Sequence, residues 1–334
     1  MENFGPFLPL SSLSKEQVTL LGVTQSLGQG KKGVEEAPQF LRQRGVKELL
    51  QENFKSVVDL GDFRSSSQEE WFDWKGHHLR NPWATGIFCE QLAQFISQTM
   101  DSETFPLILG GDHSQAIGVI EGLERVKSGR KVLWIDAHAD INTLTSSLSG
   151  NLHGMPLSVL LGLEPQNPFF EWCKSPLRPE NIVLLGIREV DQGEWKILEE
   201  KKIRYYTAQD LKKRGMDRVL DEALDALLGQ GSTDLHVELD VDVFDPNDLQ
   251  TTGTLAPQGP TKEEMMVLAR RLREAPLSSL EIVEFNPLLG NSQEQERGLE
   301  TLMSFMKGLF CRPYPQGHSG RVTIPLKESL LRES

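Results

Sequence analysis

The sequence predicts an α/β fold, a single three-layer domain whose mostly parallel sheet is covered by helices on both faces. Three observations predict it. Strand-like and helix-like segments alternate from one end of the chain to the other, the order that builds parallel sheets. Several strand-like segments, such as Leu107 to Leu109 and Val132 to Ile135, are apolar throughout, as expected of strands buried on both faces. No linker composition and no internal repeat interrupts the alternation, so residues 1–311 read as one domain and 312–334 as a Pro/Gly-rich tail that either is loose or docks on a neighbouring subunit.

In order, Gln17 to Val23 reads as a first strand, followed by a glycine-containing loop and a helix around Ala37 to Arg44. Gly28, Gly30 and Gly33 have the spacing of a nucleotide fingerprint, but they come too late after their strand, with Lys31 and Lys32 where backbone would close on a pyrophosphate. Lys55 to Leu60 is a second strand, and Arg64 to Trp83 reads as a polar loop holding Trp71, Trp74 and an exposed pair, His77-His78. Ile87 to Met100 places Phe88, Leu92, Phe95 and Ile96 on one helical face. Between the two apolar strands, Ser114 to Val126 fits a helix. Strand Asn181 to Ile187, a helix around Glu194 to Glu199, strand Arg204 to Thr207 and an amphipathic helix from Met216 to Leu227 continue the pattern. The basic run Lys212-Lys213-Arg214 is the solvated end of a short helix stopped by Gly215. Thr261 and Glu264 form a capping-box pattern for a helix to about Glu274. Leu280 to Val283 is the last strand and Gln293 to Phe310 the last helix.

Composition narrows the function classes. With 35 basic and 48 acidic residues the net charge is -13, which disfavours nucleic acid and anionic membranes as partners. Three scattered cysteines, Cys89, Cys173 and Cys311, form no CxxC pair and read as reduced thiols. The first fourteen residues lack a basic start followed by a long apolar core, and no run approaches the length of a membrane span. The expectation is a soluble, cytoplasmic protein.

Chemistry concentrates at strand ends. Asp136-Ala137-His138-Ala139-Asp140 follows an apolar strand, and in an extended chain its alternation points Asp136, His138 and Asp140 to one face. Val237 to Pro246 alternates in the same way, placing Glu238, Asp240 and Asp242 together; carboxylates this dense in a core strand stay ionised only if cations neutralise them. Gly110-Gly111-Asp112-His113-Ser114 turns sharply after another strand and leaves His113 at the edge where open α/β sheets build sites. Two imidazoles, four aspartates and no thiolate suit Mn²⁺ or a similar divalent ion, and they are enough for two ions about 3.5 to 4 Å apart. Such a pair makes water nucleophilic near neutral pH, so hydrolysis is the expected reaction class. Glu284, at another strand end, is placed for two-pronged pairing with a guanidinium. His153, in the loop Ser149-Gly150-Asn151-Leu152-His153-Gly154, is placed to carry protons.

These motifs, with Gly33-Val34-Glu35-Glu36-Ala37-Pro38, Gly186-Ile187-Arg188-Glu189-Val190-Asp191 and Glu284 to Pro287, make the chain resemble the ureohydrolase family from about Leu20 to Leu309, closest to its arginase branch. The resemblance implies the arginase-like fold and hydrolysis of L-arginine to L-ornithine and urea by a hydroxide bridging two Mn²⁺ ions. His113, Asp136, Asp140 and Asp240 would hold one ion, and Asp136, His138, Asp240 and Asp242 the other. Asp140 would take the hydroxide's proton, His153 would relay one to the departing amine and Glu284 would hold the guanidinium. Asn142, Ser149 and Asn151 would orient the α-carboxylate and Asp191 the α-amino group, Thr254 would line the pocket, and His138 and Glu284 would face the substrate as well. A homo-oligomer, trimer or hexamer, is implied as well. Where the family usually has a small hydroxyl residue two positions before the first metal aspartate, this chain has Glu238, long enough to reach a metal, pair with His153 or crowd the guanidinium. The turn Gln258-Gly259-Pro260-Thr261 also departs from the family pattern.

Overall fold

The computed structural model describes residues 15–64, 71–174, 177–229, 231 and 234–311, so the tail from Arg312 lies outside the described residues. The elements run β1 (Gln17–Thr24), α1 (Ala37–Gln43), α2 (Val46–Asn53), β2 (Ser56–Arg64), β3 (Trp71–Trp74), β4 (His77–Arg80), α3 (Pro82–Thr99), β5 (Phe105–Leu109), α4 (Ala116–Val126), β6 (Lys131–Ile135), α5 (Pro156–Leu160), β7 (Ile182–Ile187), α6 (Gln192–Lys201), β8 (Arg204–Thr207), α7 (Ala208–Arg214), α8 (Met216–Leu228), β9 (Leu235–Asp240), α9 (Lys262–Glu274), β10 (Leu277–Val283) and α10 (Ser292–Phe310).

An 8-stranded sheet has the order β2-β1-β5-β10-β9-β6-β7-β8. Its strand pairs are parallel. The last two strands, β9 and β10, wedge between β5 and β6, so chain direction across the sheet reverses at its centre. Loops on either side of that reversal splay apart above the carboxyl edge and leave a crevice. One face packs residues of α1, α2, α8, α9 and α10 against β5, β9 and β10. The other carries α3 and α4 over β1 and β5, and α5 and α6 beside β6 and β7. The predicted three-layer arrangement is therefore what forms. The helix starting at Lys262 begins with the expected capping box, Thr261 accepting from the Glu264 N–H and Glu264 reaching back.

Three segments differ from expectation. The predicted polar loop from Arg64 to Trp83 contains an antiparallel hairpin, β3 with β4. Its turn is Lys75-Gly76, both at positive φ, the geometry that matches strand twist in a two-residue connection. Phe72 and Trp74 pack edge-on against Phe169, which gives the hairpin an apolar anchor. Of the histidine pair on β4, His78 is exposed and bonds Asp73 at 3.0 Å, whereas His77 is half-buried. After α1 the chain turns at Gly45, φ 100, into α2, a helix the alternation did not signal. The acidic run does not continue as a strand to Pro246: β9 stops at Asp240, and Val241–Val243 forms a 3-10 turn.

Candidate metal centre and substrate cavity

The candidate ligands sit at the carboxyl end of a strand or within five residues beyond it, and local hydrogen bonds curl the chain so that the side chains meet. After β5, the Asp112 side chain accepts from Ser114 N at 3.0 Å and starts the short helix that carries His113. Gly111 is required there, because a Cβ would lie 1.9 Å from the Gln25 carbonyl oxygen. After β6, Asp136 does not lead an extended run as alternation suggested. Its Oδ1 accepts from His138 N at 2.7 Å, the backbone folds back, and Asp140 takes φ 46. After β9, Asp240 Oδ1 accepts from Asp242 N at 2.8 Å, so a turn rather than a strand face brings Asp242 in. Glu284, after β10, also has a positive φ of 63. Two non-glycine residues in this sparsely populated region at one site mark a backbone held in place by its surroundings.

The result is two groups sharing one carboxylate. His113, Asp136, Asp140 and Asp240 form the first, all buried; Asp136, His138 and Asp242 form the second. His113 Nδ1 lies 2.9 Å from Asp140, 3.1 Å from Asp240 and 3.4 Å from Asp136. His138 Nδ1 lies 3.0 Å from Asp242 and 3.5 Å from Asp136. All six predicted ligands therefore converge. The charge balance is poor without cations. Burial, then the charges of Asp140 and Asp242, raise the Asp136 carboxyl to about 7. Burial, then Asp242 and Asp136, push Asp240 well above the carboxylate range. Burial pulls the His113 imidazole down, but the adjacent carboxylates of Asp140, Asp240 and Glu238 carry it well above its usual value. The donors fit: His113 Nδ1 is fully buried without a hydrogen-bond partner, and it faces three hard oxygen donors with no thiolate among them.

Beside this cluster opens a cavity of ≈ 420 Å³, walled by His138, Asp140, Asn142, His153, Asp191 and Thr254, and by Glu189 and Glu194. That volume suits an amino-acid-sized ligand. Thr254 Oγ1 donates to Asp242 at 2.7 Å, and Asn142 Nδ2 to Asp191 at 2.8 Å. His153 Nδ1 is 3.0 Å from Glu284 Oε1. Burial lowers its proton affinity, but the Glu284 charge and hydrogen bond raise it to about 9. Ser149 is exposed, and neither it nor Asn151 is among the cavity-wall residues. Glu284 is buried and is not among the cavity-wall residues, and its Oε1 also accepts from His113 N at 2.9 Å.

Glu238 is not on the cavity either. It is fully buried beside His113 and bonded to His236, away from the His153–Glu284 pair and the cavity, and with His236 and Glu281 it makes a third group of donor atoms. Sequence reading missed Glu194, whose carboxyl burial raises to about 7. Its signal was present, since Asp191 and Glu194 have capping-box spacing and that box forms. It also missed Arg188, which donates to the carbonyls of Asp242, Ala256 and Pro257 and so ties the Thr254 loop to the end of β7. The glycine loop Thr24 to Gly33 proves to be a brace: Gly28 N donates to Asp112 at 2.8 Å, and Gly28 O accepts from His153 N at 3.1 Å.

Comparison with known proteins agrees with this geometry. The Arginase family model matches residues 16–306. Arginase from Bacillus caldovelox is 36% identical over 295 residues, spanning 88% of this chain and 97% of that protein. Arginase-1 from Homo sapiens is 37% identical over 291 residues, spanning 85% and 89%. The crystal structure of Entamoeba histolytica arginase in complex with L-ornithine superposes with a TM-score of 0.81 at 32% identity, covering 90% of this chain and 100% of that one. From the motifs, the shared fold and these matches together, the chain belongs to the arginase family and is a metal-dependent hydrolase acting on the guanidino group.

Proposed function

We propose that the chain hydrolyses L-arginine to L-ornithine and urea with two Mn²⁺ ions. The observation that carries this reading is a cavity lined by the polar side chains of Asn142, Asp191 and Glu194 beside a cluster that divides into two ligand groups sharing Asp136. His113, Asp136, Asp140 and Asp240 would hold one ion, and His138, Asp136 and Asp242 the other, with Asp240 close enough to serve either. When bound, the ions supply a water acidic enough to attack the guanidinium carbon. The acidic cavity favours a cationic substrate. Asp191 receives the α-amino group, Asn142 meets the α-carboxylate, and Thr254 steadies Asp242.

Proton traffic falls to two side chains. Asp140 accepts the proton released by the attacking water. His153 gives one to the departing nitrogen of ornithine, which must leave as a neutral amine. Its pairing with Glu284 keeps it charged at neutral pH. Glu284 Oε1 is committed to His113 N and His153, and Oε2 takes the guanidinium N–H groups. On family grounds the protein is also read as a cytoplasmic homo-oligomer, trimer or hexamer, which light scattering of the purified chain checks.

Product analysis after Mn²⁺ loading tests the reading. Arginine is expected to yield urea and ornithine, with agmatine turned over at least about 100-fold less efficiently because buried polar groups in the cavity would lose their partners. Urea and putrescine from agmatine as the main activity would replace arginine as the substrate. A chain that holds both ions and releases no urea from any guanidino compound would be a non-catalytic relative.

A further inference from the structure

On β9, alternate residues point to opposite faces: Val237 and Leu239 join the apolar core, and His236 and Glu238 face the other way. Glu238 pairs in register with Glu281 on β10 and Trp134 on β6, and all four polar or aromatic side chains here are fully buried. A carboxylate in such a place is tolerated only with specific partners. Glu238 has one on each side. Its Oε2 is 3.1 Å from His236 Nε2, and its Oε1 is 3.4 Å from His113 Nε2. The support continues outward. His236 Nδ1 bonds Ser279 Oγ at 2.9 Å, and Ser279 accepts from Arg130 at 3.2 Å. Glu281 is held by Gln115 Nε2 at 2.6 Å, and Gln115 by Gly111 N at 2.7 Å.

His113 has little freedom in this setting. Its ring stacks on Trp134 at 4.4 Å and 12°. A neutral imidazole has one N–H, and a ring that offers Nδ1 to a cation must carry its proton on Nε2. That Nε2 is buried, has no aligned hydrogen-bond partner, and faces the Glu238 carboxylate. We propose that Glu238 is a positioning residue for the ion at His113: clamped by His236, it attracts the Nε2 proton and so fixes both the tautomer and the orientation that present Nδ1 to the metal. The inference rests on the two-ion reading and deepens it.

The test is Mn²⁺ titration of the metal-free protein by calorimetry, with bound metal counted by elemental analysis, for the native chain, Glu238→Gln and Glu238→Ser. Glu238→Ser is expected to lose about 10- to 100-fold in affinity at one of its two sites, the range for removing an outer partner of a metal-bound histidine, with the second site unchanged. Glu238→Gln, which fills the same volume and still offers an acceptor, is expected to fall between Glu238→Ser and the native chain. Circular dichroism of the metal-free variants reports folding, and if Glu238→Ser does not fold, Glu238→Gln decides alone. Native-like affinity at both sites in every folded variant would overturn the proposal while leaving the two-ion reading intact. Fewer than two ions on the native chain would overturn both. A third ion on the native chain, lost in the variants, would overturn the proposal by making Glu238 itself a ligand.

Discussion

His113 and His138 approach the same aspartates from unlike supports. The His113 side chain has no exposed surface, stacks on a tryptophan of a central strand and is backed by a buried acid and a second imidazole. The His138 side chain is 24% exposed, sits on a loop beyond β6 and forms part of the cavity wall. One half of the centre is thus built into the sheet, and the other belongs to the surface the substrate meets. The difference teaches a division of labour between the two imidazoles: His113 is held by core packing, whereas His138 stands on the face that opens to the cavity. Asp136 is where the halves join, one oxygen accepting from the Trp134 indole at 3.0 Å and the other from His138 N at 2.7 Å.

The largest effect should come from breaking that junction. Asp136→Ala or Asp240→Ala is expected to lower urea formation by more than about 10³-fold, because metal-ion catalysis contributes several kcal/mol. Metal analysis of the same samples should show less than the native complement, and native turnover by either variant would contradict the shared-ligand assignment. Next, His153→Asn should leave both ions bound and lower kcat by about 10²- to 10⁴-fold, the usual range for a lost general acid. An unchanged kcat would move that role elsewhere.

A third experiment sharpens the asymmetry. Under a chelator, the ion at His138 should leave about tenfold faster than the one at His113, whose ligand has outer support. Equal rates would remove the distinction between deep and shallow halves. The smallest effect concerns stability. Because pairing raises His153 from 6.5 to about 9, its contribution is complete below 6.5 and is lost as pH rises through about 9. Urea unfolding of the metal-free chain and of His153→Asn should therefore differ most near pH 6 and least near pH 10. A gap that widened with pH would show that the pair does not form.

Much of this was legible in the sequence because ligand type and strand-end position are local properties. Asp136, His138, Asp140, Asp240 and Asp242 announce themselves by spacing, although the turns that bring them together differ from the extended runs that spacing suggested. Glu194 was hidden because an acid three residues into a helix has an ordinary reading as a cap, and only the cavity shows its second face. The site of Glu238 was unreadable for a different reason. Its partners, His113 and His236, approach from β5 and from its own strand, and a contact across 125 residues leaves no local trace. The β3–β4 hairpin was lost among polar neighbours, its stabilising contact being with Phe169 far along the chain.

The most direct measurement is anomalous diffraction at the manganese edge from crystals grown with Mn²⁺. The account predicts two peaks per chain about 3.5 to 4 Å apart, both in contact with Asp136, one also with His113 and the other with His138. A single peak in a chain that already makes urea, or two peaks that do not share Asp136, would contradict it.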